Sequence, residues 1–200
     1  MSKFIVGITG GIASGKTAVS DMLKSRGFAV VDADEISREI TSSGGIALPE
    51  IKKAFPNAFM GENLNREVLR EEVFNNKEKL NKLNAIMHPL IHRLVFEKIE
   101  ELNDEIIILV VPLLFETGYD KDCDYIVTVV SDEKTRINRI KDRNNSITDG
   151  VAKSMIKSQY SDGIKVAKSN TVINNDGDLI QLRQKVDELE GKIKAICEKH

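Results

Sequence analysis

A glycine-rich stretch near the amino terminus carries the residues best suited to chemistry. Gly10–Thr17 reads GGIASGKT and matches the pattern G-x-x-x-x-G-K-[ST], in which backbone amides surround phosphate oxygens. Lys16 would add a positive charge beside the β and γ phosphates, and the Thr17 hydroxyl is a ligand for Mg²⁺. A glycine turn that served only tight packing would not explain a lysine directly after Gly15. The pattern therefore predicts a site for a nucleoside triphosphate.

Two aspartates follow the second apolar run of the chain. The segment Val30–Asp34 reads VVDAD, and ligands of open α/β sheets bind at the carboxyl ends of the strands. Asp34 could serve there as the general base for an acceptor hydroxyl, while Asp32 could orient the loop or hold a magnesium-bound water. The alternative is that one of these aspartates only caps a helix that begins at Glu35.

Three arginines, Arg136, Arg139 and Arg143, are spaced three and four residues apart, which gathers them on one helix face. Such a face could neutralise charge on a transferring phosphoryl group, and we expect Arg139 or Arg143 to contact the nucleotide. An exposed basic stripe is the alternative. His88 and His92 do not form a convincing metal pair because Pro89 lies between them; His88 instead marks a helix boundary or touches an acceptor.

The elements that must position these residues are those of an α/β fold. Apolar runs bounded by turn residues alternate with helical stretches, which predicts an open parallel sheet flanked by helices. The runs are apolar at nearly every position, as expected for strands covered on both faces. The predicted strands are Phe4–Thr9, Ala29–Asp32, Ile106–Pro112, Tyr125–Val130 and Thr171–Asn174.

Two insertions between the strands look helical. Residues from about Glu35 to Asp104 contain no strand candidate, and this insertion could cover a substrate. The second insertion holds the arginines, and Thr148 is a plausible helix N-cap within it, so we expect a mobile flap. Near the carboxyl end, apolar residues at spacings of three and four predict an amphipathic helix that packs on the sheet: Leu179, Leu182, Val186, Leu189 and Ile193.

Composition limits the partners of the chain. Its 200 residues are 41% hydrophobic and carry a net charge of −2, so no overall field attracts nucleic acid or an anionic membrane. Cys123 and Cys197 match neither a disulfide framework nor a metal site, which favours a reducing compartment. The longest uncharged apolar stretch, Ile106–Phe115, is too short to span a bilayer. With no signal-peptide pattern at the amino terminus, we expect a cytoplasmic protein.

Three classes of phosphate-loop protein compete for this sequence. A regulatory GTPase needs N-K-x-D and D-x-x-G elements, and the chain has neither. A motor ATPase commonly has a strand ending in acidic residues, whereas the most apolar strand here runs into a proline. A small-molecule kinase needs a carboxylate near the phosphates, a helical acceptor segment and an arginine-bearing flap, and all three have candidates. A kinase of nucleosides or nucleotides and a regulator that binds ATP without transfer stay open as alternatives.

The order of the motifs resembles the dephospho-coenzyme A kinase family. TGGIASGKT, DADEISRE, HPLI, VPLLFE, an arginine helix and VINNDG occur in the family's order across essentially the whole chain. The resemblance implies a P-loop fold with a five-stranded parallel sheet, ATP and Mg²⁺, and phosphorylation of the ribose 3′-hydroxyl of dephospho-coenzyme A, the last step of coenzyme A synthesis. It implies a small-molecule partner, no nucleic acid or membrane, and a monomer or weak homo-oligomer.

The resemblance also implies domains and site residues. The nucleotide core would comprise 1–34, 105–135 and 165–200, the acceptor domain 35–104 and the lid 136–164. Asp34, Lys16 and Arg143 would be catalytic. Implied nucleotide contacts are Gly11, Ile12, Ala13, Ser14, Gly15, Lys16, Thr17, Ala18, Arg139 and Arg143, with Thr17 on the metal. Implied acceptor contacts are Thr9, Asp32, Asp34, Arg38, His88, Leu113, Leu114 and Phe115.

Three positions depart from the usual pattern of this family. Ala13 replaces the third glycine of the loop, and because alanine avoids positive φ we expect a negative φ there and a small effect on loop geometry. Arg136 stands where a glutamine normally opens the arginine helix. Ser169–Asn170 replaces an Ala-Asp pair, which puts an adenine contact there in doubt.

Overall fold

The computed structural model describes residues 3–74 and 76–199. The chain divides into two compact units, one made of Met1–Val31 and Leu102–His200, the other of Asp32–Glu101. These boundaries lie close to the predicted ones at 34/35 and 104/105. The segment 136–164, predicted as a lid, falls within the first unit.

A five-stranded parallel sheet forms the centre of the first unit, as the sequence predicted. Its order is β2-β5-β1-β6-β7, so β1 lies in the middle and Gly7 pairs with both Leu109 and Ile126. Strand β5 ends before Pro112 because proline has no N–H to donate to the ladder. The strands, with a short hairpin in the second unit, are β1 (Phe4–Gly10), β2 (Ala29–Asp32), β3 (Phe59–Met60), β4 (Asn63–Leu64), β5 (Ile106–Val110), β6 (Tyr125–Val130) and β7 (Thr171–Asn174).

Helices cover the sheet and build the second unit. They are α1 (Lys16–Ser25), α2 (Ala33–Ile40), α3 (Leu48–Ala54), α4 (Arg66–Phe74), α5 (Lys77–Glu101), α6 (Leu114–Thr117), α7 (Glu133–Arg143), α8 (Asp149–Lys157), α9 (Asp162–Ala167) and α10 (Leu179–Cys197). Val19 and Leu23 of α1 pack in one apolar cluster with Val186 and Leu189 of α10. The predicted amphipathic helix is therefore confirmed, except that Leu179 is exposed.

The second unit differs from its prediction in two places. The expected strand-free insertion contains the hairpin β3–β4, whose two-residue strands are too short to show an alternating pattern. Pro89 does not end a helix at His88, because α5 continues through it. The packing of α5 against α2, α3 and α4 offsets the hydrogen bond that proline removes from a helix interior.

Both cysteines are unpaired, in line with the expectation of ordinary thiols. Burial raises the pKa of Cys123 to about 12, so this thiol offers no thiolate nucleophile near neutral pH. Among the helices of residues 3–74 and 76–199, none is long and apolar enough to cross a membrane.

Candidate active site

The glycine loop connects the central strand to the amino end of α1. Gly15 is the N-cap of α1 with φ of 103°, a left-handed conformation that glycine adopts without strain. Because Gly15 has no side chain, α1 has no side-chain N-cap. The positive end of the α1 dipole therefore lies open for an anion.

The polar side chains of the loop fit a magnesium nucleotide. The Nζ atom of Lys16 donates to the carbonyl oxygens of Gly10 at 2.9 Å and Gly11 at 3.1 Å, which folds the ammonium back over the loop. Thr17 is exposed, so its hydroxyl is accessible to a cation. Ser14 is buried, and its Oγ has no hydrogen-bond partner among the described residues. A basic cap, an open hydroxyl and an open helix end are what a triphosphate with Mg²⁺ requires.

The backbone angle φ of Ala13 has the opposite sign from the one expected. Its φ is 59°, in the left-handed region, so the prediction of a negative φ is wrong. The Ala13 side chain is buried in an apolar cluster with Ile137, Ile140 and Ala152 from α7 and α8. Burial of the methyl group against these helices offsets the backbone strain, which local sequence alone does not reveal.

The arginines of α7 divide into different roles. Arg136 is buried, donates through Nε to the carbonyl oxygen of Ile12 at 2.8 Å and pairs with Asp162 at 2.9 Å. The exposed-stripe alternative is therefore wrong for Arg136. Its guanidinium contacts Gly11 so closely that a side chain at that position would collide with it.

Arg139 and Arg143 are the arginines predicted to meet the nucleotide. Arg139 is half-buried and donates to the carbonyl oxygens of Ala13, Ser14 and Asn175 at 2.9–3.3 Å. Arg143 is exposed, and its side chain makes no hydrogen bond or ion pair with the described residues. The structure thus brings Arg139 to the loop and leaves Arg143 available.

The sequence reasoning missed two loop partners. The Gln159 Oε1 atom accepts a hydrogen bond from the Ile12 N–H at 2.8 Å. Asn175 is buried and donates to the Ser14 carbonyl oxygen at 2.8 Å, beside Gly15. Asn175 belongs to the VINNDG motif, for which the sequence predicted no specific role. Gln159 lies in a stretch without a recognisable motif.

The side chains of Ser169 and Asn170 make hydrogen bonds to strand β6. The Oδ1 atom of Asn170 accepts from the Ile126 N–H at 2.7 Å, and the Ser169 hydroxyl bonds that of Thr128. Both side chains are therefore engaged at the start of β7.

Asp32 and Asp34 occupy the start of α2 in the second unit. Asp32 is the last residue of β2 and the N-cap of α2, and its Oδ1 accepts from the Asp34 N–H at 2.7 Å. The capping alternative is therefore right for Asp32, although α2 begins earlier than predicted. Burial raises the pKa of Asp32 above its ordinary value. The exposed Asp34 carboxylate has no hydrogen-bond partner among the described residues.

The other predicted acceptor contacts are partly exposed and partly buried. Arg38 is exposed on α2 and donates to the Asp34 carbonyl oxygen at 3.2 Å. His88 is exposed on α5, and partial desolvation lowers its pKa. Leu113 is 38% exposed. Thr9, Leu114 and Phe115 are buried, and Thr9 and Leu114 have no exposed surface at all. Thr9 and Leu114 therefore offer no surface that an acceptor could contact directly.

The comparisons with known proteins bear on this site. The model of the dephospho-CoA kinase family matches residues 4–181. A dephospho-CoA kinase of Fusobacterium nucleatum is 44% identical over 189 residues, which cover 94% of this chain and 97% of that protein. The chain belongs to the dephospho-CoA kinase family.

Solved structures agree with this family assignment. TT1252 from Thermus thermophilus superposes with a TM-score of 0.86 at 29% identity, over 96% of this chain and 98% of that one. Dephospho-CoA kinase from Campylobacter jejuni superposes with a TM-score of 0.71 at 25% identity, with the same coverage. Membership of the dephospho-CoA kinase family makes the chain a kinase. This confirms the predicted kinase over the alternative, a regulator that binds ATP without transfer.

Proposed function

We propose that this chain transfers the γ-phosphoryl group of ATP to the ribose 3′-hydroxyl of dephospho-CoA, giving CoA and ADP in the last step of CoA biosynthesis. The observation that carries the proposal is the phosphate loop Gly10–Thr17, which leads from the central strand into an α1 end without a side-chain cap, in a chain of the dephospho-CoA kinase family. Such a loop grips the transferred group, and the family specifies the acceptor.

The loop and the lid would hold the phosphate donor. The backbone amides of Gly11–Ala18 surround the β and γ phosphates, and Lys16 leaves the carbonyls of Gly10 and Gly11 to pair with them. Mg²⁺, held through the Thr17 hydroxyl, would neutralise phosphate charge. Arg139 is already at the loop, and Arg143 supplies a further positive charge during transfer.

The second unit would present the acceptor. Asp34 accepts the proton of the 3′-hydroxyl, a role supported by its exposed carboxylate. Asp32 supports this role by fixing the Asp34 backbone. Arg38, His88 and Leu113 offer exposed surface to the acceptor, while Thr9, Leu114 and Phe115 would act through packing.

The wider setting of the enzyme is also part of the proposal. The acceptor is a small molecule, and a net charge of −2 does not favour nucleic acid as a partner. The unpaired thiols fit a cytoplasmic location. We propose a monomer or a weak homo-oligomer.

An acceptor panel tests this proposal. ADP release is measured with Mg·ATP and either dephospho-CoA or a series of nucleosides and nucleotides, and the product is analysed by phosphorus NMR. We expect turnover with dephospho-CoA and a phosphate ester on its 3′-oxygen. Preferential phosphorylation of any nucleoside would replace our assignment with the alternative P-loop kinase.

A further inference from the structure

A buried ion pair lies beside the glycine loop, outside the predicted contacts with nucleotide. Lys165 of α9 has no exposed surface. Its Nζ lies 3.1 Å from Glu116 Oε1 and donates to the Pro112 carbonyl oxygen at 3.1 Å. The Thr9 hydroxyl, near the end of β1, donates to the same carbonyl at 3.1 Å. The Pro112 carbonyl oxygen, in the turn after β5, therefore accepts from both the Lys165 ammonium and the end of the strand that carries the loop.

The Glu116 carboxylate extends this connection into the lid. Its Oε1 also accepts from the Tyr160 N–H at 3.0 Å. Tyr160 belongs to a short stretch between α8 and α9, residues 158–161, which we term the return segment. Its neighbour Gln159 bonds the loop at Ile12, and Asp162, which follows the segment as the first residue of α9, pairs with Arg136. Glu116 thus fixes a segment that contacts the phosphate loop directly.

Stability alone does not account for this pair. Removing two charges from water is costly, and apolar residues of similar volume often replace a buried ion pair without loss of stability. The second carboxylate oxygen, Glu116 Oε2, is buried without a hydrogen-bond partner among the described residues. The specific feature of the pair is what it connects, namely the turn at Pro112, α9 and the return segment.

We propose that Glu116 and Lys165 are positioning residues for phosphoryl transfer. They hold the turn that carries Leu113 against α9, at the carbonyl oxygen that Thr9 of β1 also bonds, and they hold the return segment against the same point. The distance between the exposed surface of Leu113 and the phosphate loop then stays fixed while Arg139 and Arg143 supply positive charge during transfer. The identity of the acceptor in this inference rests on the proposed function.

Paired substitutions separate positioning from stability. Lys165→Met and Glu116→Gln each leave one buried charge without its partner, so each single variant should melt at a lower temperature than the wild type. The double variant removes both charges, and its melting temperature should return close to the wild-type value. Lys194→Met is the matched control, because the exposed Lys194 also pairs with a glutamate, Glu190 of α10, but outside the buried interior.

The kinetic parameters of the double variant decide the role. We expect kcat to fall roughly 10- to 100-fold, because a small misplacement of reacting groups costs that much. KM for dephospho-CoA should rise by a larger factor than the Kd of ATP, because the phosphate loop keeps its contacts with Arg139 and Asn175. A double variant that regains both its melting temperature and wild-type turnover would show that the pair is only structural and overturn the inference.

A milder variant covers the case in which the double variant does not fold. Glu116→Asp keeps the charge pair but shortens the side chain, so it cannot reach both Lys165 and the Tyr160 N–H. We expect a higher KM for dephospho-CoA and faster hydrogen exchange at the Tyr160 amide, measured by NMR. If the wild type phosphorylates no dephospho-CoA, the proposed function fails, yet the exchange rate still tests the connection; equal rates in both proteins would refute it.

Discussion

At the scale of single residues, the chemistry depends on carboxylates whose surroundings differ sharply. Asp32 uses its carboxylate to cap α2 and is half-buried, whereas Asp34 is exposed with no partner for its carboxylate in the described chain. The Asp32 carboxylate is bonded to the Asp34 N–H, whereas the Asp34 carboxylate is exposed to an incoming hydroxyl. We therefore propose Asp34 rather than Asp32 as the general base.

The first residue prediction concerns Asp34. Asp34→Asn keeps the size of the side chain but cannot accept the acceptor proton, so we expect turnover to fall by roughly 100-fold or more. ATP binding, measured by calorimetry, should be retained. Glu35→Gln is the control, since Glu35 is the adjacent exposed carboxylate in the same helix turn. Wild-type turnover in Asp34→Asn would remove this residue from the chemistry.

The second residue prediction follows from the raised pKa of Asp32. Burial favours the protonated carboxyl in the folded state, so the cost of the charged form is absent below the ordinary pKa and appears as pH rises through the folded-state value. Asp32→Asn retains an N-cap acceptor without the charge. Its stability relative to wild type should therefore increase between about pH 3 and pH 7 in urea unfolding. A relative loss over that range would contradict the desolvation argument.

The third residue prediction concerns the strained Ala13. Ala13→Gly relieves the positive φ but loses a buried methyl and adds unfolded-state entropy, so the free energy of unfolding should change by less than about 1 kcal/mol. Ala13→Val puts a β-branched side chain at the same φ of 59° and should cost roughly 2 kcal/mol or more. Urea unfolding of both variants measures this contrast. Equal stabilities would mean that strain is not the deciding effect.

At the scale of elements, α7 combines a buried structural arginine with two arginines that we propose to act on the nucleotide. Arg136 is buried against the loop and Asp162, Arg139 bonds the loop carbonyls, and Arg143 is exposed at the helix end. Arg136 and Arg139 bond α7 to the phosphate loop, while Arg143 stays exposed at the carboxyl end of the same helix.

The element prediction uses the same substitution at both ends of α7. Arg136→Met removes a buried ion pair and should lower the free energy of unfolding by roughly 2–3 kcal/mol. Arg143→Met should change stability by less than about 0.5 kcal/mol but lower turnover roughly 10-fold or more by removing transition-state charge neutralisation. Urea unfolding and steady-state kinetics on both variants give the comparison. If Arg143→Met kept full turnover, Arg143 would have no catalytic role.

At the scale of the whole molecule, phosphate recognition is local. The net charge is −2, so a polyanionic nucleotide gains nothing from the overall field, and we propose that it depends on the amino end of α1, Lys16, Arg139 and Arg143. Binding should therefore stabilise the unit that contains the loop.

The whole-molecule prediction is a linkage effect. A non-hydrolysable ATP analogue with Mg²⁺, at about 100 times its Kd, should raise the free energy of unfolding by roughly 2.7 kcal/mol. Hydrogen exchange should slow in peptides that contain Gly10–Thr17 and Arg139. Lys16→Ala should reduce both effects at the same ligand concentration. Protection confined to Asp32–Glu101 would place the nucleotide elsewhere.

The sequence by itself determined the features that depend on neighbouring residues. The phosphate loop, the strand positions and the Thr148 N-cap were predicted because glycine conformations, apolar runs and capping side chains act over a few residues. The order of the strands, the left-handed Ala13 and the burial of Arg136 depend on contacts between distant segments. Gln159 meets Ile12 across 147 positions and Asn175 meets Ser14 across 161, and no local pattern records such contacts. Only the tertiary structure decided them, because packing sets which distant polar groups share one buried space.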